Sequence, residues 1–441
     1  MKWERRGLEF AFRRVSGSCA LLLQDGGQLM AFWLKLSTGA ASVFHLPMNR
    51  RSFITTTLSL STVPLMAQKG ATVISPEGAK SATITSEPVP STSPAQPAKP
   101  AAKPLTWHDA APYLEGRGWP DEARKRYYDR FPSVAEGKVT DTVWNLSRDS
   151  AGMLVRFKSN ATNIQVRYKL LKANLALPHM PATGVSGVDL YAKAEDGKWR
   201  WVGVSKPDKQ ELQADLTGTI KGDAREWMLY LPLFNGVEKL EIGVSEGATF
   251  EGQTARPKPV VFYGTSITHG ACASRPGMVH TAILGRRLDR HVMNLGFSGN
   301  GKMDAAVGDQ LVKLDPAVYV IDCNPNMGAE LIRERCVPLV KQLRAARPKT
   351  PIVLVEDRRN TNSWIHPERA KYHTDNHAAL KEAFDKLKAE NVTALFYIPG
   401  DNLLGEDADG STDGSHPSDL GFFRQADAFE PVLREALKAA E

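Results

Sequence analysis

Cysteine is scarce in this chain, and long apolar runs are missing from it. Of 441 residues only four are cysteine, namely Cys19, Cys272, Cys323 and Cys336. None forms a Cys-x-x-Cys pair or stands at zinc-ligand spacing from a histidine, so the sequence calls for neither a metal nor an organic cofactor. The apolar stretches 16–23 and 29–36 are too short to cross a bilayer. A surplus of charge is also missing where it would matter. The chain carries a formal +7, but residues 1–51 hold five of those charges and 68–104 the other two, which leaves 105–441 neutral. That balance removes the electrostatic case for a nucleic-acid partner.

What is present begins with an address. Met48-Asn49-Arg50-Arg51-Ser52-Phe53-Ile54 resembles a twin-arginine export signal, followed by an uncharged stretch to Met66 and a cleavage point after Ala67. The expectation is a leader over 1–67 with a natural start at Met48 and a periplasmic or secreted mature protein without a membrane span. No cysteine lies at the cleavage point, which argues against a lipid anchor. Residues 68–104, rich in Pro, Ala, Ser and Lys, read as a disordered linker.

From about 139 to 245 the pattern alternates. The runs 153–157 and 164–168 predict a hairpin, and 185–192, 199–204, 226–231 and 237–244 predict further strands, so 105–255 is expected to form an antiparallel β-sandwich domain. A weak helix is expected near 120–130. Trp199, Trp201, Trp227 and Tyr230 suit sugar stacking, though core packing explains them better. After Pro257 short apolar runs (260–263, 292–295, 318–321, 352–355, 394–398) alternate with helical stretches (278–288, 329–346, 377–389, 418–438). That rhythm predicts an α/β domain over 256–441, three-layered with a parallel sheet. Reactive residues in such sheets lie beyond the carboxyl ends of the strands.

Four blocks stand there: Gly264-Thr265-Ser266-Ile267-Thr268, Gly296-Phe297-Ser298-Gly299-Asn300, Asp322-Cys323-Asn324-Pro325-Asn326 and Asp413-Gly414-Ser415-His416. Together they contain the parts that acyl transfer needs. Ser266 is a nucleophile if a base takes its proton. His416 is that base, and Asp413, three residues earlier, reaches its Nδ1. An oxyanion hole needs fixed donors: Ser266 N–H, Gly299 N–H and the Asn326 amide are the first choice, with Asn300 and Asn324 as alternatives for the amide. Arg275, in a Pro-Gly loop shortly after the nucleophile, is a substrate-binding candidate, with a structural ion pair as the equal alternative. Trp364 is a second candidate. Cys272 and Cys323 follow strands on the same sheet edge, where an oxidising compartment favours a disulfide between them.

These blocks resemble the SGNH, or GDSL-type, hydrolase superfamily, whose Ser, Gly, Asn and His blocks fall on Ser266, Gly299, Asn326 and His416. Thr265 stands where that family usually has Asp, and Asp-Cys-Asn-Pro-Asn replaces its Gly-x-Asn-Asp. A bacterial subfamily is closer. It shares the segment Cys272-Ala273-Ser274-Arg275-Pro276-Gly277-Met278 and, in an N-terminal β domain, the Gly-x-Asp-Leu-Tyr motif found at Gly187-Val188-Asp189-Leu190-Tyr191. The resemblance implies a flavodoxin-like catalytic domain and an esterase acting on small acyl, chiefly acetyl, groups of carbohydrate. Lipase or thioesterase activity, or a non-catalytic carbohydrate-binding role, are the rival expectations.

Overall fold

The computed structural model describes residues 104–441 in full and, before them, the backbone of four strands: β1 (Glu4–Arg5), β2 (Leu8–Val15), β3 (Ser18–Asp25) and β4 (Gln28–Lys35). These four pair antiparallel in chain order. The export signal, its cleavage point and the linker lie outside the described residues.

Residues 105–252 supply β5 (Leu105–Asp109), β6 (Leu114–Glu115), α1 (Asp141–Leu146), β7 (Leu154–Ser159), β8 (Ile164–Leu170), α2 (Ala182–Val185), β9 (Asp189–Lys193), β10 (Trp199–Val204), β11 (Glu211–Asp215), β12 (Arg225–Tyr230), β13 (Val237–Ser245) and β14 (Glu251–Gly252). One sheet runs β11-β8-β13-β5; the other runs β10-β9-β12-β7-β14, with β6 beside β7. Val155 and Phe157 from one sheet meet Ile164, Val166 and Tyr168 from the other in a single core. The two predicted hairpin strands are therefore not paired with each other. They face each other across the sandwich, because both alternations aim their apolar side chains at the same core. The weak helix expected near 120–130 does not form. Arg124 donates to the carbonyls of Trp119 (3.0 Å) and Asp129 (3.1 Å), and Trp119 stands at φ 50°, outside the helical region.

The second half carries β15 (Val260–Gly264), α3 (Ser266–His269), α4 (His280–Arg287), β16 (Val292–Gly296), α5 (Ala305–Leu311), β17 (Val318–Asp322), α6 (Ala329–Ala346), β18 (Ile352–Val355), α7 (Pro367–Ala389), β19 (Leu395–Ile398) and α8 (Asp419–Ala439). All five strands are parallel, in the order β16-β15-β17-β18-β19. Every residue of β15, β16, β17 and β18 is buried, as continuous apolar runs covered on both faces require. Val261 and Tyr263 pack on the α5–α6–α7 side, while Val260 and Phe262 pack on the α4–α8 side. Helix α7 begins at Pro367, ten residues before the expected start. Pro at the first turn costs no hydrogen bond, and the polar segment that follows is mostly exposed, with His373 and Asn376 turned inward.

This strand order reverses direction at β15, so the chain leaves β15 and its neighbours toward opposite faces and opens a crevice at their carboxyl ends. The α4–α8 core also takes in Ala151, Met180, Val185 and Leu233 from the sandwich half, so the two halves share buried surface beside that crevice.

Candidate active site

Strand β15 ends in a backbone contact that admits no side chain. A Cβ on Gly301 would collide with Gly264 O, so the chain after β16 passes directly under the end of β15. Thr265 then caps α3, its Oγ1 accepting from Ile267 N–H (3.3 Å). Ser266 is the first residue of that helix and is 8% exposed. One turn on, Thr268 Oγ1–H donates to Asp322 Oδ2 at the end of β17 (2.7 Å). Burial, opposed by the Thr268 hydrogen bond, pushes the Asp322 carboxyl up to about 7. The turn closes on His269, whose ring stacks on Phe234 of the sandwich half (4.1 Å between centroids) while Nε2–H donates to Leu233 O (2.7 Å). Burial holds the His269 pKa well below its usual value, so it is a neutral structural clamp on the nucleophile's helix.

Asp413 and His416 come from the loop between β19 and α8. Asp413 Oδ1 accepts from Ser415 N–H (3.0 Å) and His416 N–H (2.8 Å), which folds the loop so that Oδ2 accepts from His416 Nδ1–H (2.7 Å). A carboxylate only accepts, so the ring proton sits on Nδ1 and the Nε2 lone pair is left for the Ser266 hydroxyl, 2.9 Å away. Burial alone would raise the Asp413 pKa, but the donations from His416 and Ser415 outweigh it and bring it to about 2. Asp413 is thus ionised across the neutral range, and the arrangement can hold a positive charge on the ring beside it.

A residue with no motif of its own holds this loop. Arg358, 6% exposed, donates Nε–H to Ser415 O (2.9 Å) and also bonds the Ser415 hydroxyl and Asp357. His373 in turn bonds Asp357 Oδ2 (2.8 Å). Thr361 N–H donates to Gly414 O (2.9 Å). The signal was the charged run Glu356-Asp357-Arg358-Arg359 set directly against the fully buried β18, at the sheet edge where reactive groups gather.

Gly299 stands at φ 70°, in the left-handed region, and open space lies where its Cβ would be. Neither its N–H nor that of Ser266 donates to a protein group among the described residues. Asn326 is tied to the same loop. Oriented as its neighbours demand, its Oδ1 accepts from Asn300 N–H (3.1 Å) and Gly301 N–H (3.3 Å), which leaves the NH₂ free. The Asn300 NH₂ is used on Ser298 O (2.9 Å), so Asn300 is a poor oxyanion donor. Asn324 is fully buried with neither amide atom bonded, and it stays the rival to Asn326.

Arg275 stands in an ion pair, the structural alternative that its sequence position offered. Its guanidinium bonds Asp189 Oδ2 (2.9 Å) and the Tyr191 hydroxyl (2.5 Å) and lies over the Trp201 ring (5.0 Å). Asp189 also accepts from Gly277 N–H (2.8 Å) and Trp201 Nε1–H (2.9 Å). The Gly-x-Asp-Leu-Tyr motif of the sandwich and the Arg-Pro-Gly loop of the α/β half are thus two sides of one ionic lock. Among the aromatics considered for sugar stacking, Trp227 and Tyr230 are core residues, and Trp201 is half-exposed beside this lock. Trp364 is 80% exposed, two residues after Asn362, which packs on Gly414 of the acid–base loop. The expected disulfide is not formed: Cys272 and Cys323 are buried free thiols, as is Cys336. Cys323 Sγ reaches Tyr263 O (3.5 Å) inside the sheet, whereas Cys272 lies against Asp413 and His416. Their sulfurs serve different surroundings. The cluster Cys272, Asp413 and His416 brings three metal-capable groups together, but two of them are already committed to each other.

A doubly wound parallel sheet with a histidine-bonded serine at its switch point, preceded by a Gly-x-Asp-Leu-Tyr sandwich, defines an SGNH-type hydrolase. The comparisons agree. Residues 257–434 match the model of the GDSL-like lipase/acylhydrolase family, and 105–250 match the N-terminal domain of SGNH-hydrolase-type esterases. A GDSL-like lipase from Bacteroides ovatus ATCC 8483 is similar at 33% identity, with 76% of this chain and 98% of that one covered and a TM-score of 0.72. The salicylyl-acyltransferase SsfX3 from a tetracycline biosynthetic pathway shares the fold at 18% identity, with 75% and 97% covered and a TM-score of 0.60. A sequence search among curated proteins found no match. The chain belongs to the GDSL-like lipase/acylhydrolase family.

Proposed function

We propose that this protein is an exported serine esterase that removes small acyl groups, chiefly acetyl, from carbohydrate, with 105–255 as its sandwich domain and 256–441 as its catalytic domain. The observation that carries the reading is the unbroken hydrogen-bonded line Ser266–His416–Asp413 beside the unused Gly299 N–H. Ser266 Oγ attacks the ester carbonyl as His416 Nε2 takes its proton. Asp413 holds the imidazolium, and Ser266 N–H, Gly299 N–H and the Asn326 NH₂ receive the developing oxyanion. His416 then protonates the leaving alcohol, and a water activated by the same ring releases the acid.

Support for an acyl group of any size is the placement of the nearly buried Ser266 hydroxyl on His416; the preference for acetyl follows from the family resemblance. Support for a polyhydroxylated alcohol is the exposed Trp364 ring, two residues after Asn362, which packs on Gly414 of the acid–base loop. Export rests on the twin-arginine segment. Among the described residues no helix is long and apolar enough to cross a membrane.

The test is acetate release from a panel of acetylated polysaccharides and oligosaccharides, run beside covalent labelling with a fluorophosphonate. Labelling that Ser266→Ala abolishes, with acetate released from at least one glycan, is expected. Labelling without glycan turnover, and preference for long acyl chains on simple esters, would replace the carbohydrate reading with a lipase. Absence of labelling would remove the esterase reading altogether.

A further inference from the structure

The sandwich half reaches the catalytic base itself. Between β8 and α2 the chain makes a two-residue hairpin in which Leu177 N–H donates to Met180 O (3.0 Å) and Met180 N–H donates to Leu177 O (2.9 Å), leaving Pro178 and His179 at the tip. Proline fixes φ at the first tip position, so the turn is stiff before any ligand arrives. The base of the hairpin is anchored on the other half of the molecule. Met180 is buried in the α4–α8 core, and Thr183 Oγ1–H donates to Ser274 O (2.6 Å), just beyond Cys272. This anchoring sets the exposed His179 ring beside that of His416, with centroids 5.9 Å apart and planes 27° from parallel.

The chemistry decides which part of an ester lies there. The carbonyl oxygen must turn toward Gly299 and the amide donors. The alcohol oxygen must stand over His416 Nε2, because that atom returns the proton to it. A ring placed alongside His416 therefore borders the alcohol, not the acyl group. An imidazole there presents one N–H donor and one nitrogen acceptor to hydroxyls next to the scissile bond, and a flat face to the ring that carries them. We infer that His179, delivered by the sandwich, is a specificity-determining residue for the alcohol side of the substrate. This rests on the triad reading above but not on the alcohol being a sugar.

The experiment compares wild type, His179→Ala and His179→Gln across acetyl esters that share one acyl group and differ in alcohol: ethyl acetate, glyceryl triacetate, acetylated methyl xylosides and p-nitrophenyl acetate. Since all form the same acetyl-enzyme, differences in kcat/KM report acylation alone. His179→Ala is expected to lose about tenfold on the hydroxyl-bearing xylosides and about twofold on ethyl acetate, the size of one lost hydrogen bond. His179→Gln should recover part of that loss. An equal loss on every ester, or none on any, would overturn the assignment. Wild-type inactivity on the xylosides would remove that sugar as the substrate and leave the triad reading intact. In that case glyceryl triacetate supplies the contrast, since its alcohol product carries ester oxygens next to the scissile bond and ethanol carries nothing. A purely structural role predicts a fall in melting temperature with no dependence on alcohol.

Discussion

Two polar clusters, one open and one enclosed, bring charged groups together in this protein. In the triad, acid and base lie three residues apart on one loop, and Asp413 keeps 39% of its side chain in solvent. In the lock, Asp189 is fully buried and its partners come from strand β10 and a loop 86 residues away. The first cluster leaves valences unused, at the Gly299 N–H and the Asn326 NH₂. The second spends every acceptor it has on N–H donors. An open cluster with spare donors is built to receive charge during a reaction; an enclosed and satisfied one holds surfaces together. Five substitutions test the two clusters and the buried carboxyl that holds the Ser266 helix.

The largest effect is expected from Ser266→Ala, a loss of about 10⁶ in kcat with an unchanged melting curve. Near-normal turnover by the pure variant would show that the open cluster is not the catalyst. Arg275→Ala should do the opposite. Removing one partner of a buried ion pair costs about 3–5 kcal/mol, so chemical denaturation should show a marked stability loss while the folded fraction keeps its KM. A shifted KM with intact stability would return Arg275 to the substrate. Asn326→Ala is next, with about 10²-fold lower kcat and little change in KM, because the donor acts in the transition state. If Asn324→Ala shows that signature instead, the buried and unbonded amide is the true donor.

The smallest effect is a pH dependence of stability. The Asp322 carboxyl titrates near 7 when folded, above its usual 3.8. The folded state therefore binds the proton more tightly than the unfolded chain, and stability falls as pH rises from about 4 to 7. Asp322→Asn removes that titration. Its stability relative to wild type should rise by about 2 kcal/mol between about pH 5.5 and pH 9, read from denaturation midpoints. A difference that stays flat with pH would mean that Asp322 is ionised throughout.

The chain order and spacing of the reactive blocks were legible because their geometry is local. A Gly-Thr-Ser after a four-residue apolar run, and an Asp three residues before a His, carry their roles within one turn of backbone. The parallel sheet was legible for a related reason: strands buried on both faces must be continuous apolar runs, and the runs at 260–263, 292–295, 318–321 and 352–355 are such runs. The sandwich strands could be found by alternation, but their pairing could not. A period of two says which face is buried and is silent about which strand lies alongside, and so β7 and β8 read as a hairpin.

Sequence by itself therefore determined the fold class, the family and the three residues Ser266, Asp413 and His416 that stand in line. Tertiary structure alone decided that Arg275 belongs to Asp189, that Cys272 and Cys323 stay apart, that Arg358 holds the acid–base loop and that His179 stands beside His416. Each of these is a spatial relation between residues dozens of positions apart, two of them joining the sandwich half to the α/β half and two lying within the α/β half. Such relations depend on how distant segments pack against one another, and no local periodicity or spacing records that packing.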